Sequence, residues 1–251
     1  MIEPSVLAAV EWDAVTWGRA LTWAVRQSGR LRRGMRVLEV GGRTGALARW
    51  LASRGACVVS IDIMGERPVN WTFPEEGKVH AGKGDVLALP DGFECDLVVL
   101  KSVLGAIGGR GGIEAQAEAC RRMVGAVRHA RGEVWILENL AASPLHKLLR
   151  RRFVPWNSGW RYVTIEELLG FFGTGSVAAR GFGLAATFGR REWQRRTLGR
   201  FDAVLLERLA PPSWRYVAAI VARPSGAHSI EAGGASDGGE RWPLPRERRV
   251  R

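Results

Sequence analysis

Between Met35 and Asp62 the chain passes through two short apolar stretches, Met35-Arg36-Val37-Leu38-Glu39-Val40 and Cys57-Val58-Val59-Ser60-Ile61-Asp62. A glycine-rich turn, Gly41-Gly42-Arg43-Thr44-Gly45, and a helical segment with Leu47, Trp50 and Leu51 on one face separate them. Short apolar runs bounded by turn residues read as strands buried on both faces. Two parallel strands need a crossover, and a crossover helix makes the unit a right-handed βαβ. This segment commits the chain to a parallel sheet covered by helices.

The rest of the chain extends the pattern. Residues 78–81, 96–100 and 133–138 are expected as further strands, with a crossover helix over 113–130. After Glu138 the rhythm changes: a helix is expected over 143–151, and Thr164 followed three residues on by Glu167 has the spacing of a capping box opening a helix toward Phe172. Strands over 176–182 and 216–221 close the sheet, with an Arg-rich helical insertion at about 189–210 between them. The fold expected is α/β, a Rossmann-like, seven-stranded, mostly parallel sheet with helices on both faces and an antiparallel last strand. Residues 1–30 are expected as an N-terminal helical lid (helix over 11–27, Asp13 near its start), 31–223 as the main domain, and the Gly-, Ser-, Pro- and Arg-rich residues 224–251 as a disordered tail.

Glycines at a strand-to-helix turn let a ligand approach the backbone closely. An acid ending the second strand, here Asp62, can accept hydrogen bonds from both ribose hydroxyls. A dinucleotide site asks for G-x-G-x-x-G and a pyrophosphate on the helix N-terminus. This turn instead reads Gly41-Gly42-x-x-Gly45, with Glu39 two residues ahead of the first glycine. A carboxylate there repels pyrophosphate but can hold an amino-acid ammonium, so the charges favour S-adenosyl-L-methionine as cofactor.

Residues Val37 to Asp62 resemble the first two motifs of class I S-adenosylmethionine-dependent methyltransferases, whose loop reads acid-x-G-x-G-x-G. The resemblance implies that Glu39 lies near the methionine amine, that Gly41, Gly42 and Gly45 form the cofactor loop, and that Asp62 binds the ribose. It also implies that Asp85 and Val86, in Gly84-Asp85-Val86-Leu87, stand at the adenine. It covers Leu31 to Leu140, and the later strands match in order only; Arg43 departs from it by replacing the middle glycine. Further stretches, among them Trp12-Asp13, Lys101-Ser102-Val103-Leu104-Gly105, Glu138-Asn139-Leu140, Ser143-Pro144-Leu145-His146 and Trp160-Arg161-Tyr162, resemble stand-alone bacterial methyltransferases of polysaccharide and secondary-metabolite gene clusters. That narrower likeness implies O-methylation of a hydroxyl on a glycan or secondary metabolite.

Ligands of open α/β sheets sit beyond the carboxyl ends of the strands, which makes Lys101, Ser102, Glu138 and Asn139 the first candidates around the acceptor. Methyl transfer is an in-line displacement, helped by alignment and by a base for the hydroxyl proton. His146 is the candidate base, with a surface or helix-capping histidine as the alternative. Lys101 either neutralises an acceptor carboxylate or phosphate, orients the loop, or pairs with Glu138. Methyltransferases of exocyclic base amines carry an Asn/Asp-Pro-Pro-aromatic motif after the fourth strand. Lys101-Ser102-Val103-Leu104 has neither the prolines nor the aromatic, which favours an oxygen acceptor. The chain has 11 tryptophans; Trp12, Trp17, Trp23, Trp156 and Trp160 either wall a pocket or pack as core. Arg190, Arg191, Arg195 and Arg196 either attract an anionic acceptor or form a solvated helix face.

The formal charge of +12 invites a nucleic-acid partner. Almost all of it is arginine, with lysine only at 78, 83, 101 and 147, alongside abundant glycine and alanine. That composition suits a GC-rich coding sequence, so nucleic acid is disfavoured; an RNA methyltransferase and a non-catalytic assembly partner stand as alternatives. No run reaches the roughly 18 to 20 apolar residues of a membrane span, and no signal peptide is read at the N-terminus. Three scattered cysteines, Cys57, Cys95 and Cys120, read as reduced thiols of a cytoplasmic protein with no metal site.

Overall fold

The computed structural model describes residues 2–127, 132–153, 159–173 and 175–224. Its centre is a seven-stranded sheet of β1 (Arg36–Val40), β2 (Cys57–Asp62), β3 (Val79–Lys83), β4 (Leu97–Lys101), β5 (Glu133–Asn139), β6 (Ser176–Phe182) and β7 (Val217–Arg223). The order is β3-β2-β1-β4-β5-β7-β6. The first five strands are parallel, and β7 lies antiparallel between β5 and β6. The expected mostly parallel sheet with an antiparallel last strand is what forms.

Strand alternation splits the core into two layers. Val37, Val58 and Val99 face α1 (Pro4–Val10), α2 (Ala14–Ser28) and α3 (Ala46–Ser53) on one side. Leu38, Val59 and Val98 face α4 (Leu104–Ala126) and α6 (Ile165–Gly170) on the other. Thr164 and Glu167 exchange the two hydrogen bonds of a capping box at the start of α6. α5 (Pro144–Phe153) follows β5.

The helix expected over 11–27 forms as α2, directly after Asp13, and α1 ahead of it was not expected: Glu11 and Asp13 have φ of 68° and 45°, so the chain turns a corner at Trp12 between the two. Trp17 and Leu21 of α2 are wholly buried, so α2 is a wall of the core, and of residues 2–30 only Ala9, Glu11 and Trp12 line the cavity described below. Burial of such side chains stabilises by about 1.5–3 kcal/mol each. The crossover helix starts where it is expected: α4 is two helical segments joined at Gly111 and Gly112, whose backbone is non-helical, and the first of them, from Leu104, adds a stretch directly after β4 that was not expected; residues 128–130 of the expected helix lie outside the described residues.

The insertion is helical, comprising α7 (Glu192–Phe201), a wide π turn (Asp202–Leu206) and the short α8 (Glu207–Leu209). Its acids tie it to distant backbone. Glu192 accepts the amide hydrogens of Asp13 and Ala14, both at 3.0 Å, which caps α2 in place of a local side chain. Asp202, fully buried, accepts from Leu184 at 2.8 Å and Ala186 at 3.0 Å, and from Ala185 between them. Glu207 takes both Arg19 guanidinium nitrogens and the Gly183 amide. Residues 225–251, expected as a tail, lie outside the described residues.

Candidate active site

A cavity of about 1170 Å³ opens at the carboxyl ends of β1, β2, β4 and β5. Of the twelve residues singled out in the sequence as site candidates, all but Gly45 and Glu138 line it. Gly41 (φ 78°) and Gly42 both donate to the carbonyl of Ile61, at 2.7 and 3.1 Å, which folds the turn back over β2. Gly45 (φ 73°) opens α3. Arg43, in place of the middle glycine, holds φ at 41°, a left-handed conformation that costs a non-glycine residue about 1 kcal/mol or more.

Three carboxylates occupy this half. Glu39 pairs across the sheet with Ser60, whose hydroxyl donates to it at 2.5 Å beneath Gly42. Burial pushes the Glu39 carboxyl up to about 7, against the pull of Ser60 and the Ala48 amide. A cation placed beside it restores the charged form. Asp62 accepts the Arg43 amide at 3.0 Å on one oxygen and the Met64 amide at 2.8 Å on the other. Each oxygen keeps a second lone pair for a hydroxyl donor. Asp85 accepts from Leu87 at 2.9 Å and caps a 3-10 turn whose first residue is the buried Val86. Three carboxylates able to accept from a diol, an amine and a heterocycle form an acceptor set that suits S-adenosyl-L-methionine and repels phosphate.

The other half is aromatic and cationic. Lys101 ends β4 with Nζ 5.2 Å from the Trp17 ring and 5.7 Å from that of Trp12. Burial draws its pKa below the usual lysine value, although Glu11, Glu39 and Glu138 oppose this. Among the described residues Lys101 forms no ion pair, and Glu138, the expected partner, is occupied elsewhere. Its carboxylate accepts the amides of Val103, Leu104 and Asn139 at 2.7–2.8 Å and so caps α4. Asn139 donates to Ser102 at 2.7 Å.

His146 reaches the cavity but is held at both ring nitrogens. Nε2 lies 2.8 Å from the Leu184 carbonyl, which only accepts, so Nε2 carries the hydrogen. The lone pair therefore sits on Nδ1, and the Ser143 hydroxyl donates to it at 2.7 Å. Burial lowers the pKa of the ring to about 4, and the ring stacks on Phe188 at 4.8 Å. No lone pair faces the cavity, so this geometry makes the imidazole a wall.

Sequence reading missed several lining residues. Glu11 accepts from the Thr44 hydroxyl and ties the N-terminal corner to the glycine turn. Tyr162, stacked under the Arg150 guanidinium at 3.9 Å, and the exposed Arg110 complete the acceptor half, together with Arg190 and Arg195, two of the arginines that the sequence offered for an anionic acceptor. Of the tryptophans, Trp12 and Trp160 line the cavity, Trp17 is core, Trp23 packs on Phe182 at 6.4 Å, and Trp156 lies outside the described residues. Trp160 is seated by α4: a Cβ at Gly105 would collide with its indole, and one at Gly109 with the carbonyl of Gly159.

No family model and no curated protein matches the chain. Solved structures do resemble it. Phosphoethanolamine N-methyltransferase 2 of Haemonchus contortus, crystallised with S-adenosylhomocysteine, is similar at 14% identity over 84% of this chain and 53% of that one, with a TM-score of 0.53. The chain thus spans about half the length of the Haemonchus protein. Magnesium protoporphyrin IX methyltransferase from Synechocystis is similar at 13% identity over 82% of each chain (TM-score 0.51). The N-methyltransferase NodS of Bradyrhizobium japonicum is similar at 14% identity over 83% of this chain and 87% of that one (TM-score 0.52). The chain has the fold that these S-adenosylmethionine-dependent methyltransferases share.

Proposed function

We propose that the chain is an S-adenosyl-L-methionine-dependent O-methyltransferase that methylates a hydroxyl of an anionic glycan or secondary metabolite. The observation that carries the reading is Asp62, fixed by two backbone amides at the end of β2 beside the Gly41-Gly42 turn. The same fold holds S-adenosylhomocysteine in the Haemonchus, Synechocystis and Bradyrhizobium proteins. Bound, the cofactor supplies a methyl group activated by its sulfonium.

The chain's own residues do the rest. Glu39 holds the amine, Asp62 the ribose hydroxyls, and Asp85 with Val86 the adenine. Arg110 and Arg190 at the mouth favour an acceptor bearing a carboxylate or phosphate. Trp12, Trp160 and Tyr162 offer faces on which a ring can stack. The acceptor hydroxyl must lose its proton, and we assign that proton to Lys101 Nζ, whose burial favours the neutral amine. His146 positions the acceptor wall through its fixed tautomer. The reduced, scattered cysteines support a cytoplasmic setting.

Titration calorimetry with S-adenosyl-L-methionine and S-adenosylhomocysteine tests the cofactor half, and transfer of labelled methyl to a panel of acidic and neutral hydroxylated acceptors tests the other. Binding of both compounds and label on acidic acceptors is the expected result. Absence of heat with either compound overturns the enzymatic reading; label on amines alone overturns the oxygen assignment.

A further inference from the structure

The helical stretch from Glu192 to Leu209 contains three acids: Asp202 and Glu207 turn inward onto backbone amides or Arg19, and Glu192 accepts the amides of Asp13 and Ala14 while lying 3.6 Å from Arg196. The outward face is left with apolar side chains and arginines. Trp193, Phe201, Val204, Leu205 and Leu209 are 62, 48, 66, 41 and 73% exposed, and Arg196, Arg200 and Arg208 are exposed among them.

α5 repeats the arrangement. His146, Leu149 and Arg150 line the cavity, while Leu145 and Leu148, 54 and 64% exposed, stand outside beside Lys147, Arg151 and Arg152. The two elements flank one mouth, because His146 of α5 stacks on Phe188 and binds Leu184, both just ahead of α7.

We propose that these two faces dock the protein on an anionic membrane surface, with the cavity mouth between them. Aromatic and aliphatic side chains reach the acyl boundary while arginines meet lipid phosphates, the division of labour of an interfacial helix. Among the described residues no helix is long and apolar enough to cross a membrane, so the association is peripheral. A second copy seated symmetrically on the α7–α8 face would set Arg200 and Arg208 against their own counterparts, with Glu192 already engaged by Arg196 and the α2 amides. A nucleic acid would engage the arginines and leave five exposed apolar side chains without a role. The proposal rests on the composition of the surface and holds whatever the acceptor or cofactor.

The test is flotation of the full chain with vesicles of phosphatidylcholine alone or mixed with phosphatidylglycerol, at low and high salt. The wild type is expected to float with the anionic vesicles only, and less at high salt. Two variants separate the contributions: Trp193→Ser with Leu209→Ser, and Arg200→Glu with Arg208→Glu. All four side chains are exposed, and circular dichroism confirms that each variant is folded. Each is expected to lose most of the bound fraction. Flotation equal on both vesicle types, none on either, or wild-type flotation of both folded variants overturns the proposal. So does light scattering that finds a dimer converted to monomer by the Trp193 and Leu209 changes, which assigns the face to a second copy. If a variant does not fold, the wild-type comparison of lipids and salt decides alone.

Discussion

The Nδ1 atom of His146 accepts the Ser143 hydroxyl at 2.7 Å, so the imidazole is neutral and fixed in one tautomer. In the unfolded chain the ring takes up a proton near pH 6.5, and in the fold only near 4. Between those values the unfolded state binds more protons, so stability is lost as pH falls through that window. His146→Phe removes this titration. Urea unfolding at pH 7 and pH 5 should show a larger loss in the wild type than in the variant; equal losses would refute the assignment.

Asp62→Ala removes the acceptor of the ribose hydroxyls. Hydrogen bonds to a charged group contribute about 1.5–3 kcal/mol each, so affinity for S-adenosylhomocysteine should fall on the order of 10- to 100-fold. Calorimetry measures it directly, and an unchanged dissociation constant would remove Asp62 from the site.

Arg43 occupies a left-handed backbone position at φ 41°. Arg43→Gly should relieve strain of about 1 kcal/mol, partly offset by the greater freedom of the unfolded glycine. A slightly raised unfolding midpoint is the expected outcome; a clear drop would mean that the arginine side chain contributes more than its backbone costs.

Asp202 serves three consecutive amides from within the protein. Asp202→Ala leaves those donors buried and unpaired, at about 1–3 kcal/mol for each unsatisfied group. Thermal unfolding should move down by roughly 10 °C or more, given about 2–4 °C per kcal/mol in a domain of this size. Asp202→Asn, which keeps one acceptor, should recover part of the loss.

Lys101 acts as a base only when neutral, and its pKa lies below the ordinary lysine value of 10.5. Under saturating cofactor the methylation rate should therefore rise with pH and level off before that value. Lys101→Met should lower kcat on the order of 10²-fold or more while cofactor affinity is kept. A pH profile unaltered by the substitution would return the proton to another group.

Where periodicity is strong, the chain could be read directly. The stretches around Val37, Val58, Val98 and Val134 are strands because they are apolar on both faces, and the Thr164–Glu167 capping box needs only local spacing. The cofactor half was legible for the same reason: Glu39, the glycine turn and Asp62 lie within one βαβ unit. The acceptor half was not. Glu192 caps a helix 178 residues away, and Ser143 occupies His146 through a geometry that spacing alone does not reveal. The corner at Trp12 depends on two non-glycine residues in left-handed conformations that carry no sequence signature, since Asp13 also reads as an ordinary helix start. The segment of α4 ahead of Gly111 was hidden by Gly105, Gly108 and Gly109, which lower helix propensity yet are tolerated under tertiary packing.

Those same glycines let the segment 159–161 lie directly on α4, with Trp160 over Gly105 and the Gly159 carbonyl over Gly109. The width of the acceptor chamber is thus set by main chain resting on main chain. One added methyl group on α4 would lift the whole indole-bearing segment inward, narrowing the chamber without touching a residue that contacts cofactor. Acceptor size could in this way be retuned by a single carbon, from behind the wall.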